Sequence, residues 1–234
     1  MRIAICFYGQ PRKYKKVLDQ WQKVIKELNA DVFIQTWYGE DRGRNFIDIN
    51  GLIEDFQPKE IKISKPHKFI DLITTDAVYE TQSYHAMQQA YATTGCFQTI
   101  TIFSESLKTD YDLIIKARMD IELHNTNMFI DFIKSNKDSN LLYVAGNHWQ
   151  GHTKFDDNIM VGSANVMKSI YINFFKYTID YINNTKIIPG GESNHFNWLE
   201  SLKINNNVVK IEPLNFTLLV YQLEEIILNQ NEIK

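Results

Sequence analysis

The chain has 234 residues, of which 44% are hydrophobic and 23% are charged, and its formal net charge is −3 at pH 7. This length can bury a full core, and a balanced charge without a basic stripe argues against nucleic acid as a partner. No window approaches the roughly 18 apolar residues of a membrane span, so we expect no transmembrane segment. The two cysteines form no CxxC pair, which predicts a soluble, cytoplasmic protein without a structural disulfide or zinc site.

The first 36 residues predict a strand, a helix and a second strand. Residues 2–8 are almost all apolar, residues 14–28 carry apolar side chains at helical spacing, and residues 30–36 form a second apolar run. This order is typical of a right-handed parallel crossover. We interpret the apolar run at the N terminus as a first strand and not as a signal peptide.

The turn after the first strand has residues suited to a phosphate. Gly9, at the end of a buried strand, lets a ligand approach the backbone closely. Arg12 supplies a fork of donors at the same place. The alternative is a plain strand-to-helix turn with Pro11 as the first helical residue. The turn by itself favours neither interpretation.

The rest of the chain continues the α/β pattern. We predict a short helix at 51–56, a short strand at 60–63, a loop at 65–76, and a long helix at 77–103 in which an interruption at Gly95 is left open. Further along, the pattern predicts strands at 111–116, 141–145, 159–163 and 208–211, helices at 127–134, 165–183 and 193–202, and a closing helix or strand plus helix at 217–229. These elements indicate one α/β domain over residues 1–234.

Residues 111–123 (YDLIIKARMDIEL) are the centre of the predicted site. A buried strand here runs into Arg118, Asp120 and Glu122, and open parallel sheets bind ligands beyond the carboxyl ends of their strands. Two carboxylates on alternate residues can hold one divalent metal, a hard ion that prefers oxygen ligands and neutralises a departing diphosphate. The alternative is that Glu122 faces solvent and Asp120 caps the next element.

Three motifs, RIAICFYGQPR, DVFIQTW and YDLIIKARMDI, resemble those of microbial and viral glycosyltransferases with the glycosyltransferase-A (nucleotide-diphospho-sugar transferase) fold. Those proteins typically open with an apolar strand ending in G-Q-x-R, and carry Y-D-x-(I/V)-(I/V)-x-x-R-x-D at mid-chain. Segments 156–163 and 192–202 also resemble them, so that the resemblance covers residues 1 to about 205. It implies a Rossmann-like, mostly parallel sheet flanked by helices, with a nucleotide-sugar half at about 1–123 and an acceptor-side half at about 124–234.

The resemblance implies how the donor is held. Gly9, Gln10 and Arg12 would border the nucleotide of the sugar donor. Arg118 and Asp120 would be the arginine and the aspartate of an abbreviated DxD motif, with Asp120 touching the metal, or the ribose or sugar of the donor. The donor substrate would be a nucleotide-diphosphate sugar.

The resemblance also implies the acceptor side, where Asp157 would face the donor sugar or acceptor and Glu192 would border the acceptor. An inverting transfer needs a carboxylate to take the proton of the acceptor hydroxyl, and Asp157, in a polar loop, comes before Glu192. In a retaining transfer the same groups would orient the acceptor or stabilise oxocarbenium charge.

The expected metal is Mn²⁺ or Mg²⁺, held by Asp120 and Glu122 with His195 as a third ligand. Glutamate at the third position of the motif leaves metal dependence open, and a lone helix histidine is more often a surface or packing residue. The loop at 146–158 (GNHWQGHTKFDDN) offers His148, Trp149 and His152 as an acceptor platform, or simply as exposed loop residues.

The predicted function is therefore transfer of a sugar from a nucleotide-diphosphate sugar to a hydroxyl of a glycan or other acceptor, as in polysaccharide biosynthesis. One alternative is a sugar nucleotidyltransferase, although the first turn lacks the glycine-rich loop that cradles a triphosphate. Another is a catalytically inactive module that binds a glycan or nucleotide. A metal-dependent nuclease or phosphatase ranks lower, because acidic residues are few and the chain is not basic.

Overall fold

The structure is a computed structural model that describes residues 1–37, 48–65, 69–73, 78–79, 85–136, 140–145, 157–203, 208–211 and 214–218. Its strands are β1 (Ile3–Tyr8), β2 (Asp31–Trp37), β3 (Glu60–Ser64), β4 (Val78–Tyr79), β5 (Leu113–Arg118), β6 (Ile121–Leu123), β7 (Leu142–Ala145), β8 (Ile159–Ser163), β9 (Ile187–Ile188), β10 (Val208–Ile211) and β11 (Phe216–Leu218). Its helices are α1 (Leu18–Leu28), α2 (Ile49–Phe56), α3 (His85–Ser106), α4 (Thr126–Ser135), α5 (Ala164–Tyr171), α6 (Phe174–Thr185) and α7 (Gly191–Ser201), with 3₁₀-helices at Tyr14–Lys16 and Ile70–Leu72.

Seven of the described strands form one sheet in the order β10-β7-β8-β5-β1-β2-β3. The neighbours β5, β1, β2 and β3 pair in parallel, as do β10 and β7, whereas β8 runs antiparallel to both β5 and β7. This topology confirms the predicted α/β class with a mostly parallel sheet flanked by helices. Two smaller sheets pair β6 with β11 and β4 with β9.

The two faces of the central sheet carry separate cores. Ile3, Ile5 and Phe7 of β1 pack with α1, α2 and α4, whereas Ala4 and Cys6 pack with α3, α5, α6 and α7. Successive side chains of a strand point to opposite faces, so Tyr8 continues the α3 side. Strand β5 follows the same alternation, since Leu113 and Ile115 belong to the first core and Ile114 to the second. Both cysteines are buried and free, on β1 and α3.

The predicted helix at 77–103 is wrong at its start, because β4 occupies Val78–Tyr79 and α3 begins at His85. The helix then runs unbroken through Gly95. A Cβ at Gly95 would lie 2.9 Å from Oε1 of Gln35, so a larger residue here would require the end of the Gln35 side chain on β2 to shift.

The predicted helix at 165–183 is in fact two helices, α5 and α6. Thr94 of α3 stabilises the break, since its Oγ1 donates to the Tyr171 carbonyl and accepts from the Phe175 N–H, each at 2.9 Å. A side chain from another element thus satisfies backbone groups that a continuous helix would pair internally.

Smaller differences concern the ends of the chain's elements. The predicted helix at 14–28 divides into a 3₁₀-helix and α1, and the predicted loop at 65–76 contains a 3₁₀-helix. The closing segment predicted at 217–229 begins as strand β11, and residues 219–234 lie outside the described ranges. Within the described ranges, no helix combines the length and hydropathy of a membrane span. The single domain with a donor half and an acceptor half stays a prediction.

Candidate functional site

Polar side chains gather where β1 and β5 end. Tyr8 closes β1 and lies in register with Arg118, while Lys116 lies in register with Cys6 one pleat earlier. By strand alternation these side chains continue the face that packs against α3. Because β8 is antiparallel to β5, its first residues reach the same edge, and the Arg118 N–H donates to the Asn158 carbonyl at 3.1 Å. The residue before Asn158 is Asp157.

Asp157 is buried and is held by side chains from four elements. Its Oδ2 accepts from Nε2 of Gln89 on α3 at 2.5 Å and lies 3.0 Å from Nδ1 of His195 on α7. Its backbone carbonyl accepts from the Tyr8 hydroxyl at 3.2 Å and from Nζ of Lys116. Both the carboxylate and the main chain of Asp157 are therefore fixed.

These neighbours decide the charge of Asp157. Burial alone would raise the pKa of its carboxyl, but His195, Lys116 and the hydrogen bond from Gln89 outweigh burial and hold the pKa well below its ordinary range. The carboxylate is consequently ionised at every physiological pH. Among the described residues, both contacts to the carboxylate go to Oδ2.

Lys116 is a fully buried cation beside Asp157. Its Nζ donates to the Tyr8 hydroxyl at 3.1 Å, and it lies 4.3 Å from the centroid of the Tyr8 ring and 5.3 Å from that of Tyr171. Ring faces attract a desolvated ammonium, which compensates part of the cost of burying it. Burial, with Tyr8 and Asp157 nearby, raises the pKa of Tyr171 well above its ordinary value, so this phenol stays neutral.

His195 is buried, and its ring lies 4.3 Å from that of Phe174 and 5.8 Å from that of Tyr171. The next residue toward the N terminus, Asn194, donates to Oγ1 of Thr178 on α6 at 2.9 Å. The packing of α7 against α5 and α6 therefore sets the orientation of His195 toward Asp157.

Arg118 and Asp120 form a second ion pair at the same edge. Nε of Arg118 donates to Oδ1 of Asp120 at 2.9 Å, and its terminal nitrogen donates to Oδ2 at 2.7 Å. The Asp120 side chain is fully buried, whereas 20% of the Arg118 side chain is exposed. Burial alone would lower the pKa of Arg118, but Asp120 outweighs it and raises the pKa above its ordinary value. The site thus contains a permanently charged guanidinium, that of Arg118, which is paired with the buried carboxylate of Asp120.

The predicted metal ligands do not come together. Both carboxylate oxygens of Asp120 accept hydrogen bonds from Arg118, and His195 pairs with Asp157. Glu122 is exposed on β6, where its neighbours Ile121 and Leu123 are buried. Across the described ranges, no group of three or more His, Cys, Asp or Glu side chains is placed to hold a metal ion. These residues do not fit a divalent cation as predicted.

The turn after β1 lies at the same edge, next to the register pair of Tyr8 and Arg118. Gly9 has φ +87°, its N–H donates to the Gln35 carbonyl at 3.0 Å, and a Cβ added to it would meet no atom within 4 Å. Glycine is therefore required here by backbone conformation, and the space beside it is open. Gln10 and Arg12 are half-buried. The alternative of a plain turn placed Pro11 as the first helical residue. In the structure the first helical residue is Tyr14.

Some predicted residues lie outside the described part of the chain. His148, Trp149 and His152 belong to residues 146–156, for which the structure gives no placement. Glu192 is the second residue of α7, and its side chain is likewise outside the description. Their roles stay predictions.

No role in the site was predicted from the sequence for Tyr8, Gln89 or Lys116. Gln89 belongs to the predicted long helix, where no site residue was expected, but it is half-buried and contacts Asp157. Lys116 carried a detectable signal, because a charged residue interrupts the otherwise apolar run of β5. Tyr8 and Gln89 carried none, since an aromatic in a strand and an amide on a helix are ordinary.

No family model and no curated protein matches this chain. Solved structures match it over most of its length. A glycosyltransferase involved in the glycosylation of the major capsid of PBCV-1 is 10% identical, with 91% of this chain and 83% of that chain covered and a TM-score of 0.50. The galactosyltransferase LgtC, solved with donor and acceptor sugar analogues, is 11% identical, with 90% and 73% covered and a TM-score of 0.48. The chain has the glycosyltransferase-A type of fold.

Proposed function

We propose that this protein is a glycosyltransferase that moves a sugar from a nucleotide-diphosphate sugar to a hydroxyl of a glycan or other acceptor. The observation that carries the proposal is a buried, ionised Asp157 at the same sheet edge as the partly exposed Arg118. Sugar transfer is helped by an anion beside the sugar and a cation beside the diphosphate, and the chain shares its fold with a solved glycosyltransferase.

Arg118 is the proposed contact for the donor diphosphate. A guanidinium offers planar pairs of donors that match phosphate oxygens, and this one keeps its charge because Asp120 supports it. The open space beside Gly9 provides room for the nucleotide next to the backbone. Gln10 and Arg12 border the same turn and complete the proposed donor side.

In the proposed reaction, the bond between the anomeric carbon and the diphosphate oxygen breaks, and the nucleoside diphosphate leaves with the electron pair. The acceptor oxygen forms the new bond to that carbon, and its proton passes to a carboxylate. Positive charge develops on the sugar ring during this exchange, and a fixed anion nearby stabilises it.

The two predicted carboxylates suit different parts of this reaction. A carboxylate whose pKa is held far below the working pH is a weak base, so Asp157 is better suited to stabilise ring charge and orient a hydroxyl. Proton acceptance then falls to Glu192, the other candidate from the sequence. A divalent metal would supply neutralisation of the diphosphate, and the proposal instead assigns that charge to Arg118.

The test is a thermal-shift screen of the protein against nucleotide-diphosphate sugars, with and without Mn²⁺ or Mg²⁺, followed by an assay for release of the nucleoside diphosphate. Ligand binding raises the apparent stability, so a donor is expected to raise Tm and to be consumed when an acceptor glycan is added. The matched control is Asp131→Asn, which changes an exposed aspartate of α4. Absence of binding by every donor would overturn the proposal.

The same screen separates the alternatives. Binding of a donor or glycan without release of nucleoside diphosphate would identify an inactive binding module. Pyrophosphate release from a nucleoside triphosphate and a sugar 1-phosphate would identify a nucleotidyltransferase.

A further inference from the structure

Lys116 is a buried charge to which the transfer chemistry proposed above assigns no role. It lies near the end of β5, and its side chain is fully buried among the residues that pack against α3 and α5. Taking an ammonium out of water costs free energy, and an apolar residue would extend the strand's core at no such cost. A buried cation at this position therefore indicates that Lys116 has a role in the site.

The hydrogen bonds of Lys116 form a closed circuit around Asp157. The ammonium donates to the Asp157 carbonyl and, at 3.1 Å, to the Tyr8 hydroxyl. That hydroxyl donates to the same carbonyl at 3.2 Å and accepts from Nε2 of Gln89 at 3.4 Å. Gln89 also donates to Oδ2 of Asp157 at 2.5 Å, which closes the circuit on the carboxylate.

We propose that Lys116 is a positioning residue of the transfer site, whose ammonium fixes the main chain of Asp157 and thereby the direction of its carboxylate. The inference rests on the proposed function and deepens it, because it identifies what holds the anion beside the sugar. Lys116 acts through Asp157 and Tyr8 and does not itself touch the donor.

The location of Asp157 shows why such a tether matters. Asp157 precedes β8, and the ladder between β5 and β8 begins only at the pair of Ala117 and Ile159. One further backbone bond, from Arg118 to Asn158, reaches toward it. The backbone hydrogen bonds of the sheet therefore end before Asp157. Side-chain donors bind its carbonyl and its carboxylate instead.

The charge of Lys116 acts on the same carboxylate. Among the residues that the structure describes, the titratable groups that face Asp157 are His195 of α7, Lys116 and Arg118 of β5, Tyr8 of β1 and Tyr171 of α5. Since Lys116 helps to hold the pKa of Asp157 below its ordinary range, its loss raises that pKa. Activity that requires the ionised Asp157 carboxylate is then lost at a higher pH when the solution is acidified.

The experiment compares the wild type with Lys116→Met, which keeps an unbranched apolar chain, and with Lys176→Met as a control at an exposed lysine. We expect kcat of Lys116→Met to fall about 10- to 100-fold, because a displaced catalytic group loses its alignment. KM for the donor stays within about twofold, and the acid limb of kcat moves to higher pH. The control retains wild-type kcat, KM and pH profile.

A second variant covers the case in which Lys116→Met does not fold. Tyr8→Phe keeps the ring and removes only the hydroxyl of the circuit, and we expect it to lower kcat with KM preserved. If Tyr8→Phe retains full kcat in that case, the proposal is wrong.

The outcomes separate this inference from the proposed function. An active wild type with Lys116→Met at full kcat and an unmoved acid limb overturns the role of Lys116 and leaves sugar transfer standing. A rise in KM alone also overturns it. If the wild type transfers no sugar, a crystal structure of Lys116→Met decides: an Asp157 carboxylate that keeps its contacts with Gln89 and His195 contradicts the positioning role, and a displaced one supports it.

Discussion

Two buried aspartates at one sheet edge, Asp120 and Asp157, are stabilised in opposite ways. Asp120 gives both oxygens to Arg118, only two residues before it in the chain. Asp157 is bonded by Tyr8, Gln89 and Lys116, which are 149, 68 and 41 residues away. One carboxylate is part of a local motif, and the other exists only in the assembled fold.

This difference is consistent with the separate roles that we propose for Arg118 at the donor diphosphate and for Asp157 at the sugar. A local pair keeps its geometry through small movements of the surrounding elements, which suits Arg118 as a permanent cation for the donor diphosphate. Asp157 instead depends on the packing of α3, α7, β1 and β5, so its position and charge can be tuned by residues that never touch a substrate.

The largest effect on activity is expected from Asp157→Asn. The change keeps the size of the side chain and removes the anion beside the sugar, so kcat for release of nucleoside diphosphate should fall about 100-fold or more. Asp131→Asn, at an exposed position of α4, serves as the control and should match the wild type. Undiminished transfer by Asp157→Asn would show that the anion of the site lies elsewhere.

Arg118→Met tests the local pair through stability. It leaves the fully buried Asp120 without its partner, and breaking a buried ion pair on one side destabilises by about 3–5 kcal/mol, measured as the free energy of unfolding in urea. Arg118→Met combined with Asp120→Asn should recover part of that loss, since no unpaired carboxylate remains. Equal stability of the single and double variants would contradict an ion pair that matters for folding.

Acidification should affect the assembled aspartate in a defined direction. The pKa of Asp157 is lower in the folded protein than the value of about 3.9 expected when unfolded, so its contribution to stability is complete above that value and is lost as pH falls toward the folded pKa. Between these limits the loss is about 1.4 kcal/mol per pH unit. The wild type should thus lose its stability advantage over Asp157→Asn as the pH is lowered from 5. The measurement is the free energy of unfolding in urea at each pH. An advantage that grows on acidification would contradict a lowered pKa of Asp157.

The smallest effect is expected from Mn²⁺ added alone. Because both oxygens of Asp120 are held by Arg118 and Glu122 is exposed, we expect no change of Tm in a thermal-shift assay without donor. The comparison variant is Arg118→Met, in which Asp120 is released. A rise of Tm in the wild type that Asp120→Asn abolishes would restore the predicted metal site.

Much of the fold could be predicted because its central strands are short and buried on both faces. The runs that became β1, β5 and β8 are apolar along nearly their whole length, and local hydrophobicity is sufficient to locate them. The break between α5 and α6 was missed because its stabilising group, Thr94, comes from another helix. No window along residues 165–183 contains that contact.

The candidate site follows the same rule. Asp120 and Arg118 were singled out by their spacing after a buried strand, and Asp120 was expected to contact a metal or the donor. The ion pair between them was not predicted. Gln89 was predicted only as part of a long helix, and His195 as a metal ligand. Their contact with Asp157 requires α3 and α7 to meet at one sheet edge, which periodicity does not encode.

The sequence by itself determined the α/β class, the central strands and the position of Arg118 and Asp120 at the end of a buried strand, because each depends on residues within a few positions of one another. Only the tertiary structure decided that β8 runs antiparallel and brings Asp157 to the end of β5. It also decided that Gln89, His195 and Lys116 converge there and keep the carboxylate ionised. The physical reason is distance: burial and charge act through space, and side chains far apart in sequence set both.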